Sequence, residues 1–217
     1  MKNNFKKAFI ISIPVMIAFI FLGISYGMLM EENGYGPTWS FFISLFTFAG
    51  AAQFAMVAFL SIQMNPLIVF IIILVINARH LFYGISMLDE YRNYGALKWY
   101  LMGGLTDETF SLVRSIKFDE KDDKKEIYLF ITLLNHSYWV IGSVLGGVLG
   151  SVLQFEIIGL DFILTALFVS VFASYLKNSK IKYPGYIGLG VSIFTLLIFQ
   201  DNFIIPAMGI MVLLLLL

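Results

Sequence analysis

The sequence contains no cysteine, only two histidines and five prolines. Without cysteine there can be no disulfide and no thiolate metal site, and cysteine usage leaves the redox compartment open. Two histidines and scattered carboxylates fall short of a metal-ligand set, so no metal and no cofactor is expected. Charge is scarce too: Asp, Glu, Lys and Arg together make 13% of the 217 residues, about half the share in an ordinary soluble domain. Acids and bases balance at 14 each, so net charge selects no partner. No basic stripe exists outside short loops, which argues against nucleic acid. There is no P-loop and no His-Glu-x-x-His, which disfavours nucleotide hydrolysis and zincin-type proteolysis. Gly23-Ile-Ser25-Tyr-Gly27 matches the nucleophile-elbow pattern Gly-x-Ser-x-Gly, but that pattern needs a strand–turn–helix setting. Here it lies inside a long apolar run and reads as a Gly-xxx-Gly packing face. No catalytic residue, and no enzyme, is expected.

What the chain has in abundance is apolar surface. Fifty-nine per cent of its residues are apolar and the mean hydropathy is +0.88. A water-soluble fold of this length cannot hide that much; lipid removes the need. Crossing the ~30 Å hydrocarbon core takes about 20 apolar residues. Runs of that kind occur at 8–30, 38–62, 66–88, 95–113, 127–152 and 158–176, and two shorter ones at 184–199 and 203–217. The first continues to Met30 without a small-residue cleavage site, so it reads as a retained span and not a signal peptide. The fold class expected is an all-α integral membrane protein: a polytopic bundle of about eight (six to eight) transmembrane helices, forming a single transporter domain over 1–217 in the plasma or inner membrane. With the N-terminus inside, segments 1–7, 63–65, 114–126 and 177–183 are inner and carry eleven Lys/Arg, against two in the outer segments 31–37, 89–98, 153–160 and 200–202. That bias supports a cytoplasmic N-terminus. The alternating acids and bases of 117–126 read as a solvated connector.

A charged side chain near the middle of a membrane helix costs about 2.5–3.5 kcal/mol on insertion scales, so polar residues at depth need a reason. The second run carries Gly50 and Gln53, three apart on one face. Either they pack against a neighbouring helix, or the helix breaks there and its free amides face a substrate carboxylate. The third carries Asn77 and His80 on one face and Arg79 on another; Arg79 either snorkels or pairs. The fourth carries Asp107 and Glu108, with Asp107 within one turn of Arg79 in depth. The pair is either a structural bridge or part of a proton- or ion-coupled site. The fifth carries Asn135 and His136, then a Gly142, Gly146, Gly150 stripe that reads as a close helix contact. His136 is a candidate proton relay.

Three blocks then stand out together: Phe48-Ala49-Gly50-Ala51-Ala52-Gln53-Phe54, Asn77-Ala78-Arg79-His80-Leu81-Phe82-Tyr83-Gly84, and Gly104-Leu105-Thr106-Asp107-Glu108-Thr109-Phe110. In this order and spacing they resemble the AzlC-type branched-chain amino acid permease family, over most of residues 5–176. Ala78 departs from the bulky aliphatic expected between Asn77 and Arg79, which touches packing more than chemistry. The resemblance implies a secondary transporter or exporter of valine, leucine or isoleucine, and a small AzlD-type membrane subunit as partner. Substrate or coupling-ion contacts are then expected among Gly50, Gln53, Asn77, Arg79, His80, Asp107, Glu108, Asn135 and His136, with protons as the coupling ion. Two other classes stay open: a channel for another small solute, which would show a continuous polar stripe, and a non-transporting membrane scaffold subunit.

Overall fold

The computed structural model describes residues 2–61, 64–153, 182–200 and 203–216, with scattered positions between 162 and 177. Every element among the described residues is a helix, and they fall into two compact units, 1–161 and 162–217. In the first unit these are α1 (Lys2–Glu32), α2 (Gly36–Thr47), α3 (Gly50–Ser61), α4 (Pro66–Tyr91), α5 (Leu97–Gly103), α6 (Asp107–Ser115) and α7 (Lys124–Leu153). The second unit holds α8 (Tyr183–Phe199) and α9 (Ile204–Leu216), which pack on each other. Local chemistry sets the starts. Pro37 opens α2 after a turn whose Gly34 and Gly36 have positive φ. Asn65 caps α4 by accepting from Leu67 N–H at 2.9 Å, with Pro66 at its first position.

Among the described residues, α1, α4 and α7 are long and apolar enough to cross a membrane. The expected run at 158–176 falls mostly outside the described residues. The runs at 38–62 and 95–113 differ from expectation: each is broken near its middle, into α2/α3 and α5/α6. Of the two readings of the Gly50 region, the broken helix is the one found.

Contacts give the direction of each helix. α1 and α7 run parallel: Asn4 donates to Glu126, Phe19 packs on Trp139, and Glu31 lies against Gly150. Their seam is made of glycine. A Cβ on Gly142 would lie 2.8 Å from the Ile20 carbonyl, and one on Gly23 would lie 2.9 Å from Ser143 N. Gly27 and Gly146 sit closer still to the opposing backbone. This is the small-residue packing read from both glycine patterns.

α4 runs the other way. Its last turn meets the start of α7, where Lys124 lies 3.5 Å from Glu90 and Tyr91 packs on Tyr128. Segment 89–98 is therefore at the same end of the unit as 1–7 and 117–128, not at the opposite end as the loop charges suggested. With that end fixed, both broken runs become hairpins. α2 starts at the far end, with Pro37 on Gly147, and stops at mid-depth, with Phe48 on His136. α3 then has only residues 62–65 to reach the start of α4, which is ~39 Å from Tyr91 at 1.5 Å per residue, so it returns to the far end. α5 and α6 mirror this from the lysine-rich end. α6 leads back to Lys117, whose carbonyl accepts from Lys7 Nζ at 3.1 Å, while Val113 joins Ala8, Tyr91, Ile127 and Tyr128 in one buried cluster.

Candidate functional site

The two hairpin tips meet α7 at mid-depth, and each tip is built differently. At the first, α2 ends on Phe48 in the left-handed region (φ 35°). α3 restarts at once, with Ala49 carbonyl accepting from Gln53 N–H at 2.9 Å and Ala49 N–H donating back to Gln53 Oε1 at 3.3 Å. Gln53 is fully buried and spends its remaining capacity inward. Its Oε1 accepts from Trp139 Nε1 at 2.8 Å, and its Nε2 donates to Ser44 Oγ at 3.1 Å. Ser44 continues to Ser143 Oγ at 2.8 Å, and Ser143 to the Trp139 carbonyl at 2.8 Å. Gly50, the first residue of α3, lies under the Trp139 ring, where a Cβ would be 2.9 Å from Cη2.

At the second tip, Gly104 closes α5 and Thr106 caps α6 by accepting from Thr109 N–H at 3.2 Å. Asp107 and Glu108 occupy the first turn of α6, where carboxylates complement the helix dipole. Gly104 is required by a neighbour, because a Cβ there would overlap the Thr132 methyl of α7.

Arg79 of α4 pairs with Asp107 through Nη1 and Oδ2, so the expected bridge is present. Asp107 Oδ1 also accepts from Tyr83 at 2.7 Å, and Tyr83 stacks on Phe110 with centroids 4.5 Å apart. Both Asp107 oxygens are thus engaged. Asn77 and His80 share a face as predicted. They line an open groove of about 540 Å³ between α4 and α5, with Gly84, Trp99 and Met102 among its other walls.

One helix joins the two tips. The His136 ring stacks on Phe48 with centroids 4.4 Å apart, its Nε2 lies 3.3 Å from the Ser44 carbonyl, and its Nδ1 lies 3.3 Å from the Tyr100 hydroxyl of α5. The adjacent Asn135 is fully buried and donates to Thr109 Oγ1 of α6 at 3.0 Å. The structure thus gathers Gly50, Gln53, Asp107, Glu108, Asn135 and His136 around the tips, with Arg79 held at one flank. Asn77 and His80 lie on the groove side. Sequence reasoning missed Ser44, Tyr83, Tyr100, Thr109, Thr132, Trp139 and Ser143. The stop–start at the second tip was signalled by Gly-Gly-x-Thr-Asp-Glu, a glycine C-terminus followed by a threonine cap and an acidic first turn.

A model of the family described as AzlC protein matches residues 14–153, a stretch that holds all five helices of the two tips and α7. The chain belongs to the AzlC family. It is 43% identical over 205 residues to the branched-chain amino acid transport protein AzlC of Bacillus subtilis, covering 94% of this chain and 81% of that protein. It is 38% identical to an uncharacterized membrane protein of Haemophilus influenzae, over 94% of this chain and 84% of the relative. A Helicobacter pylori membrane protein is 36% identical over 98% of this chain and 94% of its own length. No solved structure is significantly similar. AzlC membership places the chain among multi-pass membrane transport proteins and not among enzymes.

Proposed function

We propose that this AzlC-family chain exports branched-chain amino acids across the cell membrane, driven by proton entry, with the whole of 1–217 acting as one transporter domain beside a small AzlD-type membrane subunit. The name of the Bacillus subtilis relative supports the substrate class; export and the partner rest on the family. The observation that carries the mechanism is His136, which touches both hairpin tips at mid-depth. Broken helices with tips at the midplane are how transporters build substrate and ion sites without exposing backbone to lipid.

The chemistry of a zwitterion with an apolar tail fits this centre. The first-turn amides of α3, at Gly50, Ala51 and Ala52, have no intrahelical partner and carry no bulky side chain, so they suit the carboxylate. Arg79 serves this less well because Asp107 already holds it. Glu108 and Asn135 suit the ammonium, Gln53 holds the first tip in shape, and Asn77 and His80 face the groove along which substrate would enter or leave. Imidazole is the side chain that titrates near neutral pH, so His136 is assigned the proton.

The N-terminus is placed in the cytoplasm. Apart from Arg79, every Lys and Arg before residue 150 belongs to the end of the unit that holds 1–7, 89–98 and 114–126, a sharper positive-inside pattern than the loop count gave. The test is efflux of labelled valine from vesicles, with and without the small subunit, under an imposed proton gradient. Release that needs this chain and scales with the gradient is expected; release equal to that of empty vesicles overturns the substrate assignment.

A further inference from the structure

The second tip contains oxygen atoms that neither proton relay nor amino acid recognition has used. Thr106, Thr109, Thr132 and Asn135 are all buried, the last three with no accessible surface at all. They form one polar cluster between α6 and α7. Thr106 and Thr109 hydroxyls lie 3.1 Å apart, and Asn135 Nδ2 donates to Thr109 Oγ1. Two members are left over. Asn135 Oδ1 and Thr132 Oγ1 are buried acceptors with no hydrogen-bond partner. Both belong to the face of α7 turned toward this tip. Asn135 is fixed there by Thr109, and Thr132 by the close approach of Gly104. A buried polar group without a partner costs about 1–3 kcal/mol, and in a hydrocarbon setting no lipid can supply one.

The cluster has a charge beside it. Glu108 is the second residue of α6, and its carboxyl adjoins the Thr106 hydroxyl. Its neighbour Asp107 is neutralised by Arg79 and Tyr83; Glu108 takes part in no ion pair among the described residues. One carboxylate surrounded by hydroxyl and amide oxygens is the donor set of a hard cation. A proton would need the carboxylate alone and would leave Asn135 Oδ1 and Thr132 Oγ1 unexplained. A divalent ion prefers more carboxylates than one. The break in the helix at Gly104 adds backbone carbonyls of the kind that bind sodium in other interrupted transporter helices.

We propose that Glu108, Thr106, Thr132 and Asn135 form a binding site for a monovalent cation of sodium size, seated between α7 and the tip of the α5–α6 hairpin. The site is separate from His136 and from the Arg79–Asp107 bridge. Occupancy ties the hairpin to α7, and release frees it, so a sodium gradient acts on this hairpin alongside the proton. The site does not depend on the identity of the transported solute.

The experiment is thermal unfolding of the purified full-length protein in detergent, with no amino acid present. NaCl is titrated against choline chloride at constant ionic strength and constant pH. Sodium is expected to raise the melting temperature saturably, with choline inert and potassium weaker. Thr132→Val, which keeps shape and removes one oxygen, should raise the half-saturating sodium at least tenfold, and Glu108→Gln should abolish the shift. Ser137→Ala, on the exposed face of the same helix, should keep it. A wild-type melting temperature that does not distinguish sodium from choline overturns the proposal. So does a sodium shift unchanged in Thr132→Val and Glu108→Gln, which would place the ion elsewhere. Because the readout contains no substrate, its failure is distinct from failure of the valine efflux test.

Discussion

Arg79 and Asp107 show what single residues disclose. Their pairing was legible because two costly charges at one depth in adjacent runs have little alternative but each other. An unpaired Arg at the helix centre costs about 2.5–3.5 kcal/mol on insertion scales, and Asp107→Asn should lower thermal stability by an amount of that order. Adding Arg79→Gln should recover part of the loss. A double variant no better than the worse single, in unfolding measured side by side, would show that the two are not energetically coupled. Gln53 was legible as a buried polar group, but its partners were not. Trp139 and Ser44 lie 86 and 9 positions away, and nothing in spacing points to them. Gln53→Met should leave the Trp139 indole N–H and the Ala49 amide without an acceptor, at about 1–3 kcal/mol for each buried donor. Trp139 fluorescence should shift in the folded variant, and an unchanged melting temperature would show that the network carries no stability.

The elements divide by how much of their cause is local. α6 starts where threonine, aspartate and glutamate follow a glycine pair, so its boundary was written in nearby residues. Thr106→Ala should cost about 1 kcal/mol, the usual value of a lost N-cap, while Thr106→Ser should be near neutral. The break at Phe48 had no such sign. A phenylalanine with positive φ is strained by roughly 1–2 kcal/mol, and it is held there by stacking on His136 and by edge contact with Phe19, both distant in sequence. Hence the run 38–62 looks like one span and is two half-helices. The glycine seam was legible as a pattern, and the structure adds which glycines are indispensable. Gly146→Ala, which drives a methyl into the Ile24 backbone, should destabilise by about 1–3 kcal/mol. Gly190→Ala, with nothing within 4 Å of its Cβ, should be silent in the same melting assay.

At the level of the whole molecule, membrane class and helical content followed from composition, whereas topology did not. Charge counting assigned 89–98 to the wrong end because it assumed that every apolar run crosses; a hairpin reverses everything after it. The lysine-rich end is also held by its own ion pairs. Lys7 Nζ donates to Asp119 at 2.9 Å and to Asp122, and Asp122 accepts from Asp119 N–H at 2.7 Å. Those bonds, the lysine first, hold the Asp122 carboxyl below its ordinary range. A lowered carboxylate stabilises fully above about pH 4 and loses that contribution as pH falls through the lowered value. Because the chain has no cysteine, a spin label at Lys121→Cys reports this loop alone. Its mobility should rise on acidification and in high salt, and should already be high in a Lys7→Gln background.

The parallel seam between α1 and α7 bears on how the chain is made. The partner of α1 is encoded about 120 residues downstream, and at 5–20 residues per second synthesis takes roughly 6–24 s to reach it. During that interval the first helix to leave the ribosome waits in the bilayer with Asn4, Ser12 and its bare glycine face unmatched. Insertion and folding of this protein are therefore separate events, and a nascent chain stopped before residue 124 holds a membrane helix still open to whatever else in the lipid can accept a glycine face.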